Sequence, residues 1–290
     1  LAYLNAAYAY PFISRSKAFD HRGAIHQPEN ARYKSLLLTD PASGELAYRA
    51  GDHVHYFDVL NPATRAWWVE TAAALVRETG ADGLFVDQMH GFAWLRPDRE
   101  QEVAAAQALM MQLAKEAIGA DKILLLNNAA HIPELFEIGD AFMFEHYQPA
   151  LIAREAIVSD WALMDKIARA GKITVWRIGI EHDAVMIAAR ESGETVTPEY
   201  LAAVSQQRLP YYLAAFLVGA REYAWLQYGW GWSLQTGPLC PYPDLQRPLG
   251  QPRGAAVRDQ ADGWTFRREF EHARVEVDLD KREGRVDWKP

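Results

Sequence analysis

Apolar and polar positions along the chain follow two alternating rhythms. Short continuous apolar runs, the pattern of strands covered on both faces, alternate from Asp52 onward with longer stretches in which apolar residues recur at helical spacing. The strands read as Val54 to Leu60, Gly83 to Gln88, Lys122 to Asn128, Ala141 to Tyr147, Lys172 to Ile178 and Glu222 to Tyr228, and the opening run from Leu1 to Tyr10 adds a seventh. The first long helix is bracketed by its own signals. Asn61 is a side-chain cap, Pro62 suits the first helical position, and Gly80 suits the left-handed residue that ends a helix. Further helices are expected from about Asp98 to Ile118, from Ile132 to Ile138, from about Ala150 to Ala170, and from Pro198 to Gly219. The tail changes character. Trp264 to Phe270, Arg274 to Leu279 and Arg285 to Trp288 alternate apolar and polar residues, which predicts an antiparallel hairpin or small meander.

Strands and helices in alternation predict an α/β fold, and we expect a (β/α)8 TIM-like barrel over residues 1–260 with a small C-terminal antiparallel β appendage over 261–290. Seven strands fall one short of eight. The eighth is expected upstream of Leu1, at Lys34 to Leu38, or in the tail. No Gly-rich dinucleotide fingerprint or phosphate loop follows any strand, which counts against a nucleotide-binding doubly wound sheet.

Composition narrows the partners. The formal net charge of −8, from 30 Lys and Arg against 38 Asp and Glu, and the lack of a basic run argue against nucleic acid and anionic membranes. The longest apolar stretch, Leu209 to Ala220, is too short to span a bilayer and reads as a buried helix, so no membrane insertion is expected. The single cysteine, Cys240, excludes an internal disulfide and a multi-thiolate metal site. The chain opens at Leu1 with neither a Met nor the basic and apolar regions of a signal peptide. Either the mature protein starts there or upstream residues are absent from this chain, and the expected location is secreted or periplasmic.

In a barrel of this kind chemistry gathers at the C-terminal ends of strands. Polar residues recur there: Asp87 and Gln88, Asn127 and Asn128, Glu145, His146 and Tyr147, Arg177, and Gln227. Asp87 follows Leu84-Phe-Val86 and Glu145 follows Phe142-Met-Phe144, so an apolar strand delivers each carboxylate to its exit, where desolvation is costly without a partner or a role. The bland reading is a buried acid that caps the next loop or pairs with Arg177. The sharper one takes them as the two carboxylates of a glycoside hydrolase, with Glu145, between Phe144 and Tyr147, the better candidate for the acid. Retaining and inverting geometries both stay open.

Gly80-Ala-Asp-Gly-Leu-Phe-Val-Asp87, preceded by Asp58-Val-Leu-Asn-Pro62 and an Arg-Trp-Trp helix, resembles barrel glycosidases whose sequences carry a G-x-D-G-[IL]-F-[VIL]-D strand motif. The endo-α-1,4-polygalactosaminidase group and bacterial glycoside-hydrolase-like families are the matches named by this likeness. Leu1-Ala-Tyr-Leu-Asn5 is similar to a second strand in those proteins, and Arg268 to Asp278 to a tail motif R-x-F-x-N-G-x-V-x-V-N, with His272, Ala273 and Asp278 standing for its Asn, Gly and Asn. The resemblance implies a glycosidase active in polysaccharide degradation, with Asp87 as nucleophile or base and the first barrel strand upstream of this chain.

A carbohydrate substrate gives the aromatic residues a place, since sugar C–H faces stack on rings while hydroxyls need planar polar partners. Tyr228, Trp230 and Trp232 alternate after the last strand and are the expected platform, whereas Trp67 and Trp68 on the first helix read as packing. Asn5, Tyr8, Asp58, Gln88, Asn127, Asn128, His146, Tyr147, Arg177, Gln227, Trp230 and Trp232 are the expected substrate-binding residues. No cofactor and no metal are expected. His53-Val-His55 precedes the apolar part of its strand, on the stability face of a barrel, and Gly-x-Ser-x-Gly is absent. Two alternatives are carried forward. A polysaccharide lyase would use Asn127, His146, Tyr147 and Arg177 on a uronic acid and release an unsaturated, ultraviolet-absorbing product. A non-catalytic carbohydrate-binding barrel would keep the cleft without the chemistry.

Overall fold

The computed structural model describes residues 1–10, 31–49, 54–89, 96–146, 152–180, 183–229 and 240–289. The chain divides into two compact units, Leu1–Met143 and Phe144–Pro290.

The first unit is built on parallel strands. Its elements are β1 (Ala2–Asn5), α1 (Ala31–Lys34), β2 (Tyr48–Arg49), β3 (Val54–His55), α2 (Pro62–Thr79), β4 (Gly83–Asp87), α3 (Glu100–Ile118), β5 (Ile123–Asn127), α4 (Pro133–Ile138) and the start of β6 (Ala141–His146). β1 pairs parallel with β4, β4 with β5, and β5 with β6 through Leu125↔Ala141 to Asn127↔Met143. Leu4, Leu84, Val86, Leu124, Leu126 and Phe142 are fully buried on these strands, as a sheet covered on both faces requires. Each such side chain contributes about 1.5–3 kcal/mol relative to exposure. α2 has the predicted ends: the Asn61 side chain accepts from the Ala63 N–H, Pro62 opens the helix, and Gly80 closes it at φ 66°. Trp68 is fully buried and Trp67 rests on Phe57, so both are packing residues.

Two expectations are corrected here. Val54 to Leu60 is not a member of the parallel series. Only Val54–His55 is strand, antiparallel to Tyr48–Arg49, and Tyr56 and Phe57 bridge antiparallel to Tyr8 and Leu37. The reason is chain length: parallel neighbours need a crossover of a dozen residues or more, and only four residues separate β2 from β3. Lys34 to Leu38 is likewise no parallel strand; it begins as the end of α1 and contributes the Leu37 bridge.

The second unit continues with the end of β6, α5 (Arg154–Arg169), β7 (Ile173–Ile178), α6 (Ala184–Glu191), α7 (Pro198–Gly219) and β8 (Ala224–Tyr228). β7 and β8 pair parallel, and the Gly179 N–H donates to the His146 carbonyl just past the strand ends. The C-terminal antiparallel sheet, β9 (Val257–Arg258), β10 (Thr265–Glu269), β11 (Ala273–Asp278) and β12 (Glu283–Trp288), is the predicted meander in the order β12-β11-β10-β9. Its strict alternation buries Phe266, Val275 and Val277 toward α7 and leaves a charged outer face on which Glu276 pairs with Arg267 and Arg285. Arg268 is the exception to the pattern. Its buried guanidinium donates to the Leu217 and Val218 carbonyls in the last turn of α7 and to the Ala220 carbonyl just beyond it, and burial lowers its pKa to about 10.

The fold is therefore α/β, with parallel strands alternating with helices and an antiparallel C-terminal sheet. Six strands of the parallel series lie among the described residues: β1, β4, β5, β6, β7 and β8. No described helix is long and apolar enough to cross a membrane.

Candidate active site

The first unit assembles its polar residues around one carboxylate. β4 can lie close against β5 because it begins with glycine: a Cβ on Gly83 would stand 2.0 Å from the Ile123 carbonyl oxygen. The motif's glycine thus secures strand pairing, and four residues later the strand ends at Asp87, 6% exposed. The register sets Asn5 of β1 beside it, and on β5 the Val86↔Leu126 pair brings Asn127 alongside.

Asp87 accepts four hydrogen bonds. Its Oδ1 takes the Asn127 Nδ2 at 2.8 Å and the Gln88 backbone N–H at 2.7 Å. Its Oδ2 takes the Tyr3 hydroxyl at 2.8 Å and the Asn5 Nδ2 at 3.4 Å. An ionised carboxylate offers about four acceptor positions and no donor, so the four partners match that form. Burial first, and the charge of Asp87 second, push the Tyr3 phenol well above the ordinary tyrosine range, so it stays a neutral donor. Both strands leave through a left-handed residue immediately after their polar end, Gln88 at φ 60° and Asn128 at φ 51°. That conformation costs a non-glycine residue about 1–2 kcal/mol. At Gln88 the N–H that the turn frees is the one capped by Asp87.

The other predicted residues of this unit divide. Asn5 is fully buried and occupied: its Oδ1 accepts from the Ala7 and Tyr8 N–H groups at 2.8 and 2.7 Å, and its carbonyl accepts from Trp68 Nε1 at 2.9 Å. It therefore serves the turn after β1 and the Asp87 cluster. Tyr8 is buried against Tyr56 and Tyr10, and its hydroxyl accepts from Arg49 at 2.7 Å. Asp58 accepts from the Leu60 N–H at 3.1 Å and lines a depression with Leu38, Phe57, Arg96 and Val103. Gln88 and Asn128 are half-buried.

The second unit carries a different arrangement. Arg177 Nη1 lies 3.4 Å from Glu145 Oε1, with side chains 4% and 8% exposed. Glu145 thus lies beside a cation as well as at the end of an apolar run. His146 does not share its face. Adjacent strand residues point to opposite sides, and His146 turns toward α5, where its Nε2 lies 2.7 Å from Asp160 Oδ2 and its ring stands edge-on to Trp176. Trp176 Nε1 donates to the same Asp160 oxygen at 3.2 Å. Gln227 sits opposite Arg177 in the β7–β8 register. Tyr228 is not part of an exposed platform: it is buried, and its hydroxyl donates to the Ser205 carbonyl of α7. Tyr147, Trp230, Trp232 and His53 lie outside the described residues.

The sequence matches the family described as hypothetical glycosyl hydrolase family 15 over residues 1–274. The chain belongs to that family. No curated protein matches it. Among solved structures it is similar to the glycoside hydrolase domain of PelA from Pseudomonas aeruginosa, with 18% identity over 79% of this chain and 77% of that one and a TM-score of 0.48. It is also similar to α-L-fucosidase isoenzyme 2 from Paenibacillus thiaminolyticus, with 17% identity, 78% and 33% coverage and a TM-score of 0.45. A third is the noncanonic maltogenic α-amylase AmyB from Thermotoga neapolitana, with 12% identity, 86% and 60% coverage and a TM-score of 0.45. Membership in a glycosyl hydrolase family makes carbohydrate the consistent substrate class and gives the lyase alternative no support.

Two features of this family member escaped the sequence reading. Tyr3 was passed over, although its spacing of two from Asn5 puts both on one strand face. Asp183 is a buried residue that caps α6 through the Val185 N–H and accepts from Arg208 and the Tyr212 hydroxyl. Its position one residue before an apolar helical run was the signal.

Proposed function

We propose that the chain is a glycoside hydrolase acting on a poly- or oligosaccharide at the C-terminal ends of its parallel strands, with Asp87 and Glu145 as its two carboxylates. The family match supports hydrolysis, and the four donors on Asp87 carry the assignment of roles. A carboxylate saturated with donors has no proton to give, so Asp87 acts as nucleophile or base. Proton donation then falls to Glu145, whose 3.4 Å contact with Arg177 is longer than the 2.7–2.9 Å typical of a tight charge-assisted pair. Asn127 orients Asp87, and Arg177 positions Glu145. The resemblance to endo-α-1,4-polygalactosaminidases makes an α-1,4-linked galactosamine polymer the first substrate to try. The net charge of −8 supports that choice, because it attracts a cationic polymer.

The test is a polysaccharide panel read for new reducing ends and, separately, for unsaturated products. Asp87→Asn and Glu145→Gln are each expected to lose about 10²- to 10⁴-fold in kcat while still binding the cleaved glycan. Hydrolysis of every cleaved glycan surviving both substitutions would sink the assignment.

A further inference from the structure

Of the four donors on Asp87, the Tyr3 hydroxyl differs in kind from the rest. Gln88 contributes a backbone amide, and Asn5 and Asn127 contribute side-chain amides. Those N–H groups donate only, whereas a phenol both donates and accepts. The hydroxyl lies 2.8 Å from Asp87 Oδ2, and Asn5 Nδ2 reaches both the Tyr3 oxygen, at 3.2 Å, and Oδ2, at 3.4 Å. The triangle is rigid at its base. β1 pairs with β4 through Tyr3↔Phe85 and Asn5↔Asp87, and the Tyr3 ring stands edge-on to Phe85 with centroids 5.6 Å apart. The Asn5 carboxamide is itself pinned by the Ala7 and Tyr8 N–H groups.

We propose that Tyr3 is a positioning residue for hydrolysis: it aims Asp87 Oδ2 and holds the carboxylate as an acceptor, and it is the one partner that can reverse its hydrogen bond if Asp87 takes up a proton. This rests on the reading of Asp87 as a reacting carboxylate. Asn127 and the Gln88 N–H donate to Oδ1, and the Asn5 amide on Oδ2 is left facing a proton if one is taken up there, so Tyr3 alone couples orientation to protonation. The burial that keeps its phenol neutral agrees with this role.

Two measurements test it on the full chain. In the first, protein carrying tyrosines labelled with ¹³C at Cζ is titrated by NMR, and the resonance missing from Tyr3→Phe identifies Tyr3. In the wild type that resonance is expected to stay at its neutral position while exposed tyrosines ionise near pH 10. In Asp87→Asn, which leaves Tyr3 unchanged, it is expected to titrate about one pH unit or more earlier. In the second, Tyr3→Phe is expected to lower kcat about 10- to 100-fold with KM within about twofold, and to move the acid limb of the pH–rate profile. A Tyr3 resonance indifferent to Asp87→Asn overturns the proposal, and so does a Tyr3→Phe variant with unaltered kcat and profile. Either of these with Asp87→Asn inactive fells Tyr3 alone; full activity in Asp87→Asn fells the reading of Asp87, and the proposal with it.

Discussion

Asp87 and Glu145 both follow apolar strand residues, yet they meet opposite solutions to the same problem. Asp87 is surrounded by neutral donors, each aimed by a backbone register or a turn. Glu145 is met by a cation, Arg177, at 3.4 Å. Several directional hydrogen bonds fix where a carboxylate points without adding charge, whereas one ion pair offsets the desolvation of a charge and constrains orientation less. The difference separates a carboxylate held by directional hydrogen bonds from one held beside a cation.

The largest effect that sharpens this contrast is on Glu145's side. Arg177→Met is expected to cost about 3–5 kcal/mol, because it removes the guanidinium 3.4 Å from a buried carboxylate. By differential scanning calorimetry the melting temperature should fall roughly 10 °C, and adding Glu145→Gln to that variant should recover much of the loss. Next comes Asn127→Ala, which removes one neutral donor from Asp87 and is expected to cost about 1.5–3 kcal/mol in urea unfolding. If it costs as much as Arg177→Met, the distinction drawn above collapses.

A pH effect tests the neutral setting from another side. Tyr3 in one unit and Tyr212 and Tyr228 in the other have phenols raised above the ordinary range, each chiefly by burial. A raised folded-state value contributes stability that is fully present below the unfolded tyrosine value and is lost as pH rises above it. Unfolding free energy should therefore decline above about pH 10, by about 1.4 kcal/mol per pH unit for each such tyrosine. Tyr3→Phe should flatten the decline by one tyrosine's share, and an unchanged slope would show that Tyr3 ionises freely. The smallest effect is a yardstick away from both carboxylates: Asn61→Ala removes the cap of α2 and is expected to cost about 1 kcal/mol. An Asn127→Ala cost no greater than this would reduce the Asp87 cluster to ordinary hydrogen bonding.

Local signals carried much of the fold. The N-cap, proline and glycine of α2, the limits of α7, and the two-residue alternation of β10 to β12 each depend on neighbours a few residues away, so they were legible along the chain. The Val54 to Leu60 run was apolar enough for a parallel strand. Its pairing was decided by the short connection from β2 and by contacts with Ala7 and Leu36 from elsewhere in the chain.

At the candidate site the division is similar. Apolar runs ending in Asp87 and Glu145, and the presence of Asn127 and Arg177 at other strand ends, could be read directly. Alternation on β6 already implied that Glu145 and His146 face opposite ways, but only Asp160, fourteen residues on, shows what His146 faces. The sequence by itself determined the apolar runs of the parallel strands and the polar residues near their ends, Asp87, Asn127, Glu145 and Arg177 among them. Tertiary structure alone decided the partners: Tyr3 lies 84 residues from Asp87 and Asn127 lies 40 away. Propensity and capping act through covalent neighbours, whereas a hydrogen bond across a sheet depends on register, which the chain settles only when its strands pair.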